Sequence, residues 1–157
     1  MAVEVGQAIP DVTLVSADRK AVNLRALLGK PTVLLFFPGA FTSTCTKEMC
    51  AVRDSLATFN ALDAQVVGIS VDSPLAQKAF ADQHGLTFTL LSDFNRQAVK
   101  AFGVEDPNFW GGLLPGVAWR SVFVVDRTGV VRWKWVAPAQ GTEPDYAAVE
   151  DAVRSLT

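Results

Sequence analysis

Two cysteines occur in the 157-residue chain, Cys45 and Cys50, and the segment leading to the first, Pro38-Gly39-Ala40-Phe41-Thr42-Ser43-Thr44-Cys45, is unusual chemically. It ends the apolar run Thr32 to Phe37 with a proline, a glycine and three hydroxyl side chains. A strand ending at Phe37 and a helix opening near Cys45 place the thiol in a helical first turn, at the carboxyl end of a central strand, where open α/β sheets bind ligands. First-turn N–H groups lack intrahelical partners and the helix dipole is positive there, so both favour thiolate. The expectation is a Cys45 of lowered pKa acting as a nucleophile. An ordinary thiol at pKa ~8.5 is about 3% ionised at pH 7, so full ionisation is worth roughly 30-fold, or ~2 kcal/mol. Fast attack on an O–O bond also needs donors aimed at the oxygens as one leaves with negative charge. Thr42 is three residues from the thiol, Pro38 fixes the chain leaving the strand, and Phe41 adds an apolar wall. Arg120, immediately before the run Ser121-Val122-Phe123-Val124-Val125, is placed to bring a cation.

The elements that must position these residues alternate as in an α/β protein. Polar and apolar residues alternate over Asp11 to Val15, a turn follows, and Ala21 to Leu24 resumes, which predicts an N-terminal β-hairpin. Buried strands are predicted at Thr32 to Phe37, Gln65 to Ser70 and Thr87 to Leu91, with helices over Cys45 to Phe59 and Ser73 to His84 between them. Ser121 to Val125 and Val130 to Val136 read as a hairpin about Asp126-Arg127-Thr128-Gly129, and Asp145 to Leu156 as a closing helix. The result is a central mixed β-sheet flanked by helices. At 100° per residue, Cys45, Met49, Val52, Leu56 and Phe59 share the arc that packs on the sheet, whereas Cys50 lies off it beside Thr46, Arg53 and Ala57.

Length and a composition half hydrophobic favour a single domain over 1–157. A net charge of -2 offers no field for nucleic acid, and no apolar run approaches the ~18 residues of a membrane helix. The opening residues lack a signal-peptide layout, so the reading is a soluble, cytoplasmic protein. Two thiols are too few for a disulfide framework, and with His84 they are too few for a zinc site, so no metal or other cofactor is expected. His84, at a predicted helix end, gets no catalytic role, and Trp110, Trp119, Trp133 and Trp135 are read as core or loop anchors.

Pro38, Thr42 and Cys45 match P-x-x-x-T-x-x-C, and the sequence resembles the peroxiredoxins on this motif, on Arg120 before FVVD, and over VGQAIPDVTLV, LLSDFNRQAVKAFGV and FVVDRTGVVRW. The resemblance implies a thioredoxin-like fold and a thiol-dependent peroxidase. Cys45 is then the peroxidatic cysteine, Thr42 and Arg120 bind the peroxide oxygens, Pro38 shields the site, and Glu48 orients arginines. Cys50, five residues on, resembles the resolving cysteine of the bacterioferritin-comigratory (PrxQ) subgroup, which forms an intramolecular disulfide. Segments FFPGAFT and LLSDF are instead similar to the one-cysteine alkyl hydroperoxide reductase E group. Implied partners are hydrogen peroxide or organic hydroperoxides and thioredoxin or a similar dithiol, with the protein a monomer or weak homodimer. The loop Asn108 to Trp119 has no assigned counterpart. The alternatives are a one-cysteine enzyme resolved by an external thiol, a thiol-disulfide oxidoreductase, which would want C-x-x-C, and a non-enzymatic holdase.

Overall fold

Five consecutive buried residues, Thr32–Phe36, form strand β3 in the interior of a seven-stranded sheet. The computed structural model describes residues 2–156. The other strands of this sheet are β1 (Thr13–Ser16), β2 (Ala21–Asn23), β4 (Gln65–Ser70), β5 (Thr89–Ser92), and β8 (Ser121–Val125) with β9 (Val131–Val136). Their order is β2-β1-β5-β4-β3-β8-β9, with β3, β4 and β5 mutually parallel and every other pairing antiparallel. A separate two-stranded ladder joins β6 (Glu105–Asp106) to β7 (Val117–Ala118).

A strand with apolar residues at every position must be covered on both faces. Leu34 and Phe36 of β3 pack on one side with Val67, Ile69, Phe123 and Val125. Val33 and Leu35 pack on the other with Val66, Val122 and Val124. The first face carries α4 (Gln97–Ala101) and the trio Phe36, Phe102 and Phe123, whose ring centroids lie 5.0 to 5.8 Å apart. The second face carries α1 (Ser43–Asp54), α2 (Leu56–Ala61), α3 (Pro74–His84) and α5 (Tyr146–Arg154) through Met49, Val52, Phe59, Phe80, Val149 and Val153. Each large apolar side chain so buried is worth ~1.5–3 kcal/mol.

The expected mixed sheet, N-terminal hairpin and late hairpin are present, the β6–β7 ladder is an addition to them, and further details differ. The helix expected over Cys45 to Phe59 is two helices, because Ser55 (φ -90°, ψ 0°) turns the chain while donating its N–H to Ala51 and Val52 carbonyls. Strand β5 begins at Thr89, where pairing with Val67 starts, although Phe88 before it is already core. Helix α4 was not anticipated. Arg96 at its start has no capping side chain, and the cap comes from Asp93 upstream, which accepts from the Ala98 and Val99 N–H groups at 2.9 and 2.8 Å. Lastly, the tryptophans divide: Trp119 packs on the first core cluster and Trp133 and Trp135 on the second, but Trp110 is 63% exposed.

Candidate active site

Register brings the distant residues together. Phe36 at the end of β3 stands opposite Ser121 at the start of β8, so Arg120 arrives beside the chain that leaves β3 for α1. That chain turns sharply at Phe41, whose φ of 68° lies in the left-handed region, and Thr42 caps α1. Asp72, just after β4, steadies the turn by accepting from the Ala40 N–H at 2.8 Å and the Ser70 hydroxyl at 2.7 Å. Pro38 is buried at the start of the same segment.

Thr42 Oγ1 accepts from the Cys45 N–H at 3.3 Å and donates to the Gly39 carbonyl at 3.1 Å. The N-cap and the position beside the thiol are therefore one arrangement. Cys45 is fully buried, and Arg120 Nη1 lies 3.2 Å from its Sγ. The same nitrogen lies 3.2 Å from Glu48 Oε1. Glu48 is also fully buried, and its Oε2 has no hydrogen-bond partner among the described residues. Arg120 is 1% exposed and is held from behind by Gln140, whose backbone carbonyl accepts from Nε at 3.1 Å and whose Oε1 accepts from the Arg120 N–H at 3.2 Å. Gln140 Nε2 continues to Asp106 Oδ2 and the Ala118 carbonyl, at 2.9 and 3.2 Å.

Electrostatics correct one expectation. Burial pushes the Cys45 thiol above its ordinary value, outweighing the charge of Arg120 and the hydrogen bonds from Thr42, the Gly39 backbone and Arg120 that pull it down. The cation acts as anticipated, but a thiol without hydration loses more than the cation and these hydrogen bonds return. Glu48 behaves likewise: burial raises its carboxyl to about 7 against the pull of Arg120, and Glu143 adds a further push upward.

Pro38, Thr42 and Arg120 line one cavity of about 890 Å³, together with Phe41, Phe109 and Trp110. Cys45 is not on that surface, although both residues that hydrogen-bond it are. The site thus gathers Pro38, Thr42, Cys45, Glu48 and Arg120. Cys50 is half-buried on α1, outside the core clusters, and both thiols are free. His84 stands apart, its ring 5.1 Å from that of Phe80. Gln140, Asp72 and the Phe109-Trp110 pair were missed by sequence reasoning. Only the last had a signal, two adjacent aromatics in a glycine-rich loop. Among the described residues no group of three or more His, Cys, Asp or Glu could hold a metal ion.

A family model described as the AhpC/TSA family matches residues 5–134. Peroxiredoxin Q, chloroplastic, of Populus jackii is 46% identical over 127 residues, covering 81% of this chain and 57% of that protein. The Arabidopsis thaliana protein of the same name is 45% identical over 127 residues, covering 81% and 56%. The chain thus spans somewhat over half the length of these relatives. A peroxiredoxin-like protein from Aquifex aeolicus superposes with a TM-score of 0.90 at 26% identity, over 100% of this chain and 90% of that one. Peroxidoxin BcpB from Mycobacterium tuberculosis does so at 0.86 and 29%, over 99% of both. The fold is thioredoxin-like, as the resemblance implied. The cytoplasmic expectation is overturned: these curated relatives are chloroplastic, and an opening segment without a leader pattern does not assign a compartment. On a match that runs from the N-terminal hairpin through the thiol and its arginine into β9, the chain belongs to the AhpC/TSA family.

Proposed function

We propose that the protein is a thiol-dependent peroxidase that reduces hydrogen peroxide and organic hydroperoxides through Cys45. The observation that carries this reading is the single guanidinium nitrogen 3.2 Å from Cys45 Sγ, at the edge of a cavity that Thr42 also lines. Thiolate Sγ attacks the terminal peroxide oxygen: the S–O bond forms as the O–O bond breaks, and the electron pair leaves with the second oxygen. That oxygen takes a proton and departs as alcohol or water, so sulfur is oxidised to a sulfenic acid and the peroxide is reduced. Arg120 has further N–H donors for the oxygens. The Thr42 hydroxyl, which donates to Gly39 in the resting chain, turns to the substrate. Donors of this kind are each worth ~10²–10³ in rate. Pro38 lines the pocket where the chain leaves β3, and Glu48 accepts from the same Arg120 nitrogen that faces Cys45.

Cys50 then attacks the sulfenic sulfur. The S–S bond forms, the S–O bond breaks, and the oxygen leaves as water after protonation. Thioredoxin or a similar dithiol returns both thiols by exchange, and the working unit is a monomer or weak homodimer. Two cysteines five apart favour this over the one-cysteine reading, and they are spaced too widely for a C-x-x-C oxidoreductase.

Rapid mixing of reduced protein with peroxide tests the proposal, with tryptophan fluorescence and mass spectrometry as readouts. A second-order phase that is lost in Cys45→Ser, with one oxygen retained on Cys45 in Cys50→Ser, is expected. Persistence of the phase in Cys45→Ser defeats the reading. Sustained thioredoxin-driven turnover of Cys50→Ser at the unmutated rate reassigns resolution to an external thiol.

A further inference from the structure

The cavity beside Cys45 is much larger than the chemistry needs. At about 890 Å³ it lies in the range of pockets that hold whole organic ligands, ~300–1,000 Å³, whereas one water takes up about 30 Å³ of liquid. Its walls are aromatic: Phe41, Phe109, Trp110 and Trp119. The Phe109 and Trp110 rings stack at 5.4 Å with 19° between planes. Trp110 holds this position at φ 52° and ψ 46°, a left-handed conformation that a bulky side chain rarely adopts. The loop is tied at its base, since the β6–β7 ladder closes it and Asp106 accepts the Asn108 N–H at 2.8 Å.

Charge in this cavity is already committed. Among its lining residues Arg120 is the only cation, and it points to Cys45, Glu48 and the Gln140 carbonyl. Asp106 has one carboxylate oxygen on the Asn108 N–H and the other on Gln140 Nε2. Apart from the Arg120 donors that the peroxide oxygens take, no charged lining side chain is without a partner for the body of the substrate. A second cavity, of about 520 Å³, shares Pro38, Ala40, Thr42, Phe109 and Trp110 with the first but leads toward Arg96, Leu113 and Leu114, and Arg120 lines only the first.

Resting on the peroxidase reading above, we propose that Phe109 and Trp110 are specificity-determining residues, forming with Phe41 a subsite for the organic group of a neutral, ring-bearing hydroperoxide. The cavity is continuous with Thr42 and Arg120, so its occupant must present its dioxygen group to Cys45 while its apolar body lies on the aromatic wall. Cys45 takes the terminal oxygen of this substrate by the step already written, and the ring-bearing alcohol is the product.

The test measures second-order rate constants for Cys45 oxidation by cumene hydroperoxide, tert-butyl hydroperoxide, linoleic acid hydroperoxide and hydrogen peroxide, read by mass spectrometry so that loss of a tryptophan does not blind the assay. Cumene hydroperoxide is expected to react fastest of the four. In Trp110→Gly, which suits a left-handed backbone, the ratio of its rate constant to that of hydrogen peroxide falls at least tenfold. Phe109→Leu gives a smaller fall in the same direction and serves as the second variant if Trp110→Gly folds poorly. Leu75→Ala, on α3 outside the cavity, leaves the ratio at its unmutated value. An unchanged ratio in both aromatic variants overturns the subsite while leaving the peroxidase reading intact. Absence of reaction with all four peroxides sinks the peroxidase reading itself. A preference for linoleic acid hydroperoxide that is lost in Arg96→Gln moves the subsite to the second cavity and overturns the proposal. So does a change of oligomeric state in Trp110→Gly with equal rate losses for every peroxide, which makes this face a contact between copies.

Discussion

At Arg120 one nitrogen serves two acids, Cys45 and Glu48, each 3.2 Å away and each fully buried. Replacing the arginine removes the cation that offsets burial at both. Arg120→Met is expected to slow peroxide reduction by about 10² or more and to raise the Cys45 pKa further, read by thiolate absorbance against pH. It also leaves Glu48 without its partner, a loss of ~3–5 kcal/mol for a broken buried pair. Adding Glu48→Gln to Arg120→Met should recover stability without recovering rate. Equal recovery of both would show that Arg120 acts only through folding. Glu48 carries its own pH signature. Its folded pKa of about 7 exceeds the ordinary 4.5, so the native state binds the extra proton over that interval and stability falls as pH rises from 4.5 to about 7. The loss amounts to roughly 3 kcal/mol. Charged and titratable neighbours are Arg120 at the start of β8, Glu143 in the loop before α5, Cys45 on its own helix and Tyr146 on α5. Melting temperatures from pH 5 to 8 should therefore fall less in Glu48→Gln than in the unmutated chain, and parallel slopes would refute the assignment.

Helix α1 holds both thiols, and on a regular helix residues five apart have Cα atoms roughly 8.6 Å from each other. A disulfide needs less than ~7 Å. Cys45 and Cys50 therefore join only if α1 unwinds, which withdraws Met49 from the core and Cys45 from Thr42. So short a loop gains little chain entropy to offset the hydrogen bonds lost, at ~0.5–1.5 kcal/mol each. Oxidation should strip hydrogen-exchange protection from Cys45 to about Arg53 and lower the melting temperature, whereas equal protection in both redox forms would defeat the unwinding route. A second element-scale device is the strap after β9. Gln140 reaches Arg120, Asp106 and Ala118 together, so it couples the arginine to the base of the aromatic loop. Gln140→Ala should cost ~1–3 kcal/mol for the buried groups it leaves unpaired. Because alanine keeps the backbone carbonyl that holds Arg120 Nε, the Cys45 pKa should stay near its unmutated value, in contrast to Arg120→Met.

Across the whole molecule, both faces of the sheet carry a core, and the chemistry lies on only one of them. The Phe36, Phe102 and Phe123 trio lies on the α4 face, while Cys45 belongs to the cluster beneath α1 and α3. Phe102→Ala is expected to cost ~3–5 kcal/mol, on the order of 10 °C in melting temperature. Below that melting temperature the rate constant with hydrogen peroxide should stay within twofold of the unmutated value. A rate loss as large as that of Arg120→Met would show that the far face sets the site.

Glu48 entered only through a family resemblance and β6 and β7 went unread, but periodicity and motif in the sequence alone located the strands of the main sheet, the thiol at a helix start and Thr42 before it. Those features are local, because a run such as Thr32–Phe36 can be buried only as an interior strand, and a threonine three residues before Cys45 caps whatever helix follows. Tertiary structure alone decided the sign of the Cys45 shift, since burial depends on what covers the thiol and no spacing reports it. It decided the cap on α4, taken from a residue upstream of the helix start, and the hold of Gln140 on a residue twenty positions away. It also decided the aromatic wall. Trp110 is written in the sequence as one tryptophan among four, and only closure of the β6–β7 ladder turns it away from both cores and onto the cavity beside Cys45.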